Sequence, residues 1–426
     1  MTSPEVGDRV RAMSYAPILA AACVLWPVIG LLGAQGYGPL LAITALPALA
    51  LARPKMPPAI YALMALAFVG WAAISETWSP ATRGLISGNL LEGNFAIRAS
   101  SVRIVLTALF GMLAVAGAMR IASSTAQVSS RVMLGAFAVQ GLVLAISAVF
   151  GHQVVAMVYG ADPMEQAKGF QNIARNANAF LIVLPILAAY IAARPGWRWK
   201  GIAAAMVLAA AIIVVLNGSD SALIGIGFML LAGFIVWLAP KTGYRWLISL
   251  MAGYVAAAPV LIGTAINMMR KMGVELPASF QSRAWSWELV IGKVVEKPLT
   301  GHGVAASKTW RDTYSDHPAW LAQLPDFWAA YPVVPGHPHN MALQIWAETG
   351  VVGAVLAGLT LVVIAFRLPM PKTLRPDVRY AIAGLVGVVA SLFSFSYSVW
   401  NDSFWASVVL AACAIILLSR RDRASI

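Results

Sequence analysis

Four of the chain's five histidines, His302, His317, His337 and His339, fall in one polar interruption of an otherwise apolar sequence. The last opens a string of fixed spacing: His339-Asn340, nine residues, Gly350, two residues, Gly353. The string begins where the interruption ends and a hydrophobic run starts. A neutral imidazole is well suited to take a proton from a weak nucleophile near neutral pH, so His339 is a candidate general base. His337, two residues earlier across Pro338, competes for that role. His339 could instead simply cap a helix. The pair His337-x-His339 could also begin a metal site, with His302, His317 or Asp316 as further ligands. No tight spacing supplies them, so neither a metal nor another cofactor is expected.

The elements that position these residues follow from composition. Of 426 residues, 60% are hydrophobic and 11% charged, against about 25% charged in a soluble domain. A chain so poor in charge cannot cover itself with water-facing side chains and must be an all-α polytopic membrane protein. The formal net charge of +13 is better explained by Lys and Arg holding cytoplasmic loops and meeting anionic membrane lipid than by nucleic acid, which is excluded as a partner. Cys23 and Cys413 lie inside apolar runs and give no disulfide framework. Residues 1–12 are polar and no cleavage site follows the first apolar run, so a first spanning helix is expected rather than a signal peptide.

Runs of the length a span needs occur near 13–33, 38–52, 57–75, 102–119, 132–150, 176–193, 201–216, 221–239, 246–266, 340–366, 380–399 and 403–419. Arg120 and Arg131, Arg194 to Lys200, Lys241 and Arg245, and Arg367 to Arg379 make every second connection basic, which predicts both termini in the cytoplasm. All five histidines then face outward. So do a long loop near 267–339, a second near 151–175, and a segment near 76–101 holding Glu76, Trp78, Arg83, Glu92 and Arg98. With no internal repeat or linker, residues 1–426 read as a single membrane domain, and 267–339 as an outer loop embedded between the ninth and tenth helices.

That loop carries Trp285, Trp287, Trp310, Tyr314, Trp320, Phe327, Trp328 and Tyr331, too many aromatics for a solvated tether. Residues 283–297 read as a helix with Trp287 and Ile291 on one face, stopped by Pro298. The aromatics suit anchoring at the membrane interface or a surface on which sugar rings stack.

The chain resembles the O-antigen ligase and polymerase superfamily, above all the O-antigen ligases. The resemblance rests on twelve helices with one large loop before the last three, and on His339-Asn340 with Gly350 and Gly353. Looser similarity lies in Gly169-Phe170 with Arg175-Asn176-Ala177-Asn178, and in Arg283, Trp287, Pro298-Leu299 and Gly301-His302-Gly303. One stretch departs: Asn217-Gly218-Ser219-Asp220-Ser221 stands where many relatives have Ser-Arg-Gly, so Asp220 either does something different or caps the next helix.

The resemblance implies a glycosyltransferase C-like membrane fold whose large, partly helical loop is periplasmic. It also implies an inner-membrane enzyme that moves O-antigen from undecaprenyl pyrophosphate to lipid A–core, in lipopolysaccharide biosynthesis. Pyrophosphate leaves well if its growing charge is met, and arginine meets it with a planar fork that keeps its proton. The implied scheme is one inverting displacement without metal, with His339 as base and His337 as its competitor. Arg283, Arg175, Arg98, Arg103, Asn340 and His302 are the residues expected at the substrate. Ion pairing of Arg283 or Arg175 with Glu288 or Asp162, or snorkelling to the interface, is the alternative. Arg103 borders the membrane, where a charge is costly and therefore suspect. Gly350 and Gly353 serve either helix packing or substrate clearance.

An O-antigen polymerase or a protein oligosaccharyltransferase would share the donor and differ in acceptor. A lipid-linked sugar transporter would need charges along a central path, and the helix midplanes are almost free of them.

Overall fold

The computed structural model describes residues 15–52, 59–82, 84–88, 90–92, 96–160, 162–314 and 331–421. Arg83, Asp316, His317, Trp320, Phe327 and Trp328 lie outside them. The chain is an all-α bundle. Its helices are α1 (Tyr15–Val24), α2 (Trp26–Leu31), α3 (Tyr37–Pro47), α4 (Ala59–Glu76), α5 (Ser100–Ala118), α6 (Ser123–Tyr159) and α7 (Pro163–Ala192). They continue as α8 (Trp197–Leu216), α9 (Asp220–Leu238), α10 (Gly243–Lys271), α11 (Ala278–Glu296), α12 (Met341–Arg367), α13 (Pro376–Phe395) and α14 (Asp402–Ser419). One small antiparallel pair, β1 (Ile86–Ser87) with β2 (Ala96–Ile97), precedes α5.

Among the described residues nine helices are long and apolar enough to cross a membrane, and three shorter apolar stretches, Tyr15–Leu31, Tyr37–Leu51 and Leu63–Glu76, add to them. These correspond in order to the twelve runs expected from hydropathy. The chain is thus a multi-span membrane protein. The embedded helix α11 also forms, starting five residues before the expected 283.

One expectation needs correcting. The segment 151–175 is not a loop: α6 runs on past a kink at Phe150, where φ is −118° and ψ 33°, and α7 begins at Pro163. A hydropathy window misses this hairpin because its residues are polar. Its local signals are plain: Gly160 turns the chain at φ +79°, and Asp162 caps α7 by accepting from the Met164 and Glu165 amides, with Pro163 at the position that needs no amide proton.

α7 is the central helix. Residues 176–187 are buried without interruption, the pattern of a helix enclosed on every side, and it packs against α6, α8, α13 and α14. α12 lies between α10 and α4, and α13 against α9. At one end of the bundle Asp377 is buried between Arg375 (3.2 Å) and Arg421 (2.6 Å). The candidate chemistry lies at the other end.

Candidate active site

Where α9 begins, α13 ends and α12 begins, polar side chains draw the three termini together. Asn340 starts α12: its Oδ1 accepts the Leu343 amide at 3.0 Å. Its Nδ2 donates to the Tyr254 hydroxyl of α10 at 2.6 Å and to the Ser394 carbonyl of α13 at 3.1 Å. One side chain thus satisfies a helix N-terminus and fixes it to two neighbours.

His339, one residue earlier, has φ +53°, in the left-handed region that costs a residue with a Cβ about 1–2 kcal/mol. Its Nδ1 lies 2.8 Å from the Ser396 carbonyl oxygen at the end of α13. A carbonyl only accepts, so Nδ1 carries the proton and Nε2 keeps its lone pair, the tautomer a base requires. His337 has the opposite arrangement. Its Nδ1 accepts the His339 amide at 3.2 Å, which leaves the ring proton on Nε2 and the lone pair occupied. The two rings stand 4.3 Å apart between centroids. Burial, with His339 and Lys308 adding to it, takes His337 down to about 3. Burial also lowers His339; the Ser396 carbonyl pulls it upward and the Arg283 charge pushes it further down. Both imidazoles are neutral near pH 7, and His339 is the one with a nitrogen to offer.

Arg283 comes from α11, which Trp287 pins to the histidine segment through a 2.8 Å bond from Nε1 to the Pro338 carbonyl. The guanidinium carbon lies 5.3 Å from the Phe280 ring centroid. Its Nη1 is buried with no hydrogen-bond partner among the described residues. Burial lowers its pKa and the carboxylate of Asp220 opposes that. Leaving a buried donor unpaired costs about 1–3 kcal/mol, more when it is charged. A cation left so beside a neutral histidine suits an anion that arrives as ligand.

Behind His339, Asn178 of α7 links the other termini. Its Oδ1 accepts from Ser221 Oγ at 3.2 Å and its Nδ2 stands 3.5 Å from Ser396 Oγ. Arg175, one turn before Asn178, is exposed and donates to Asn172 Oδ1 at 3.0 Å; its charge reaches Tyr397, next to Ser396. Of the remaining expected residues, Arg103 and His302 are engaged elsewhere. Arg103 pairs with Asp402 of α14 at 3.2 Å. Arg98 is exposed ahead of α5. His302 Nε2 donates to the Lys293 carbonyl at 2.9 Å and lies 3.6 Å from Glu296. No group of three or more side chains suited to a metal occurs among the described residues.

Gly350 explains how the loop meets this end of the bundle. It breaks α12 with φ +66° and ψ −169°, and a Cβ there would overlap the Leu299 carbonyl. Backbone groups freed by the break find partners in the loop: His302 and Gly303 amides donate to the Ala347 and Glu348 carbonyls at 2.9 and 2.8 Å, and Val351 donates to Pro298 at 2.8 Å. Trp71 Nε1 takes the Thr349 carbonyl at 2.9 Å. Gly350 and the Pro298–Gly303 stretch, noted separately in the sequence, are thus two sides of one contact, while Gly353 faces Thr349 and Trp71. The sequence placed Asn178 only within a loosely similar stretch, without a role, and did not single out Glu348. An acid within an apolar run, as Glu348 is, was the available signal.

Fold and site together define a multi-span helical membrane protein that brings a histidine with a free Nε2 lone pair and an arginine with an unbonded Nη1 to one end of its bundle. Residues 204–358 match the family model for O-antigen ligase, a stretch that takes in Asp220, Arg283, His337 and His339. A Rickettsia conorii protein provisionally described as a polysaccharide ligase is 35% identical over 74 residues, which is 17% of this chain and 16% of that protein's length. No solved structure matches. The likeness to the O-antigen ligase family is thus one of this segment, residues 204–358.

Proposed function

We propose that the protein is an O-antigen ligase, a glycosyltransferase that moves O-antigen polysaccharide from undecaprenyl pyrophosphate to lipid A–core. In this reading it works at the periplasmic face of the bacterial inner membrane, with both termini in the cytoplasm. One observation carries the proposal: Arg283, whose buried Nη1 has no hydrogen-bond partner among the described residues, stands within electrostatic reach of a histidine whose Nε2 keeps its lone pair.

The acceptor's sugar hydroxyl loses its proton to His339 Nε2 and its oxygen attacks the anomeric carbon. The bond from that carbon to the pyrophosphate oxygen breaks on the opposite face, so the centre inverts. The leaving diphosphate keeps the bonding electron pair, and Arg283, half-buried, meets its charge. Arg175 and the basic residues near the loop, Lys308 among them, draw the anionic substrates toward the site. Asn340 acts by position, holding the start of α12 under His339. His337 orients His339 by accepting its amide proton.

The test is reconstitution of the full chain in bilayers with purified lipid-linked O-antigen and lipid A–core, with and without a chelator. Extended lipid A–core formed in both conditions is the expected result. Product only with a second lipid-linked repeat unit as acceptor would make the protein a polymerase. No transfer to any acceptor would end the proposal.

A further inference from the structure

Two turns flank His339 from outside α12. One is 396–401, whose Ser396 carbonyl fixes the ring; the other is 331–338, which carries His337. Both hang on one side chain. Glu348, in the third turn of α12, is fully buried and makes no ion pair among the described residues. Its Oε2 accepts the Ala305 amide at 2.6 Å and the indole N–H of Trp400. Its Oε1 accepts Ser307 Oγ at 2.6 Å, the Ser307 amide at 3.3 Å and Gln344 Nε2 at 3.2 Å.

Two of these partners pass the contact on. Gln344 is oriented by Glu348 so that its Oε1 accepts the Val399 amide at 3.0 Å. Ser307 Oγ also lies 2.9 Å from the Gly336 carbonyl. The carboxyl therefore holds the 396–401 turn at Val399 and Trp400, while the single Ser307 O–H, shared between the carboxylate and the Gly336 carbonyl, serves one of them at a time beside the His337 turn. A buried carboxyl is an expensive way to staple a loop when apolar packing would do. What it supplies is direction, because each donor must approach along a lone pair.

We propose that Glu348 is a positioning residue for His339: through Gln344, Trp400 and Ser307 it sets where the Ser396 carbonyl and the His337 ring stand, and hence where the Nε2 lone pair of His339 points. This rests on the reading of His339 as the base.

Glu348→Gln tests it in the reconstituted full chain. The variant keeps the shape but must turn an NH2 toward two donors, either Ser307 N–H and Gln344 or Ala305 N–H and Trp400. If Gln344 rotates in response, the Val399 amide loses its acceptor and the Ser396 carbonyl is no longer fixed. The groups whose charges act on His339 are His337 on its own segment and Arg283 of α11, with Asp220 of α9 behind Arg283 and Lys308 beside His337; none is altered by the substitution. The Nδ1–H bond to Ser396 favours the charged imidazole, so loosening it lets His339 give up its proton more readily.

The expected result is a kcat lower by roughly ten- to a hundredfold, the cost of misaligning a reacting group by about an ångström. KM for the lipid-linked donor stays unchanged, and the acid limb of the pH profile moves to lower pH. A second readout needs no turnover: the rate at which diethylpyrocarbonate modifies His339, mapped by peptide mass spectrometry, should differ from wild type. Gln344→Met removes the same link at similar volume and must shift the profile the same way; it decides the matter if Glu348→Gln does not fold. Wild-type kcat, pH limb and modification rate in the variants would overturn the inference. Were His339→Asn to keep transfer while Glu348→Gln changed His339 modification, the base reading would fall and the positioning would stand.

Discussion

Replacing His339 with Asn separates chemistry from structure more cleanly than Ala does. The residue sits at φ +53°, where Asn is tolerated and part of the about 1–2 kcal/mol of left-handed strain is released. The Asn Nδ2 can reach the Ser396 carbonyl that now takes Nδ1–H at 2.8 Å, keeping a bond worth about 1 kcal/mol. Against these stands the loss of half a ring's packing beside His337. The terms nearly cancel, so the melting temperature should stay within about 3 °C of wild type. His339→Ala keeps the strain, loses the bond and should melt lower. The Asn variant has no nitrogen able to accept a proton. Loss of a general base costs about a hundred- to ten-thousandfold in rate, or about 3–5.5 kcal/mol in the barrier. The assay is transfer of radiolabelled lipid-linked O-antigen to lipid A–core in proteoliposomes, beside thermal unfolding of the same preparations. A folded His339→Asn protein whose rate lies within about threefold of wild type would refute the base assignment, since no Brønsted argument allows so small a loss.

Arg283→Met should abolish transfer by at least about a hundredfold, the typical cost of losing one donor to developing negative charge. Because Nη1 is buried without a partner among the described residues, the same variant should melt no lower than wild type and could melt higher; a large drop in melting temperature would show the guanidinium to be structural. His337 and His339 both have pKa values below the ordinary histidine value, His337 at about 3. Between that value and about 6.5 the unfolded chain binds the extra protons, so stability is highest near neutrality and falls as pH drops through this window. His337→Gln, whose Oε1 can still accept the His339 amide, should flatten the dependence of melting temperature on pH between about 4 and 7; an unchanged slope would refute it. Gly350→Ala should cost more than about 2 kcal/mol, combining strain at φ +66° with overlap on the Leu299 carbonyl. Gly70→Ala in α4, where a Cβ would meet nothing, should be neutral or gain up to about 1 kcal/mol. Equal melting temperatures for the two would contradict the account of the break.

The spans were legible because a bilayer demands length and apolarity, and both can be read one window at a time. His339 was legible because its spacing to Asn340, Gly350 and Gly353 is local. What the sequence concealed is pairing across distance. Arg283 and Asp220 are 63 positions apart in the chain, and the departure at Asp220 gave no hint that the carboxylate would face Arg283. Asn178 looked like one polar residue in a helix entrance, and only the meeting of α7, α9 and α13 makes it a link. Which of His337 and His339 keeps its lone pair depends on one backbone amide and one carbonyl, and no pattern of residue types encodes that. The 151–175 hairpin was missed for a different reason: its helices lie beyond the apolar runs, so caps and a glycine turn, rather than hydropathy, announce them.

The interruption in α12 bears on how the protein is made. A transmembrane segment cannot expose naked peptide groups to lipid, and irregular backbone survives only where protein covers it. Residues 341–350 are all enclosed or nearly so, and the groups that complete the break, Pro298, His302, Gly303 and Trp71, all precede it in the chain. Synthesis from the N-terminus therefore delivers the cover before the gap. A rearranged chain that began at α12 would have to insert it with its break still bare, which predicts a requirement for order in biogenesis that neither hydropathy nor charge would reveal.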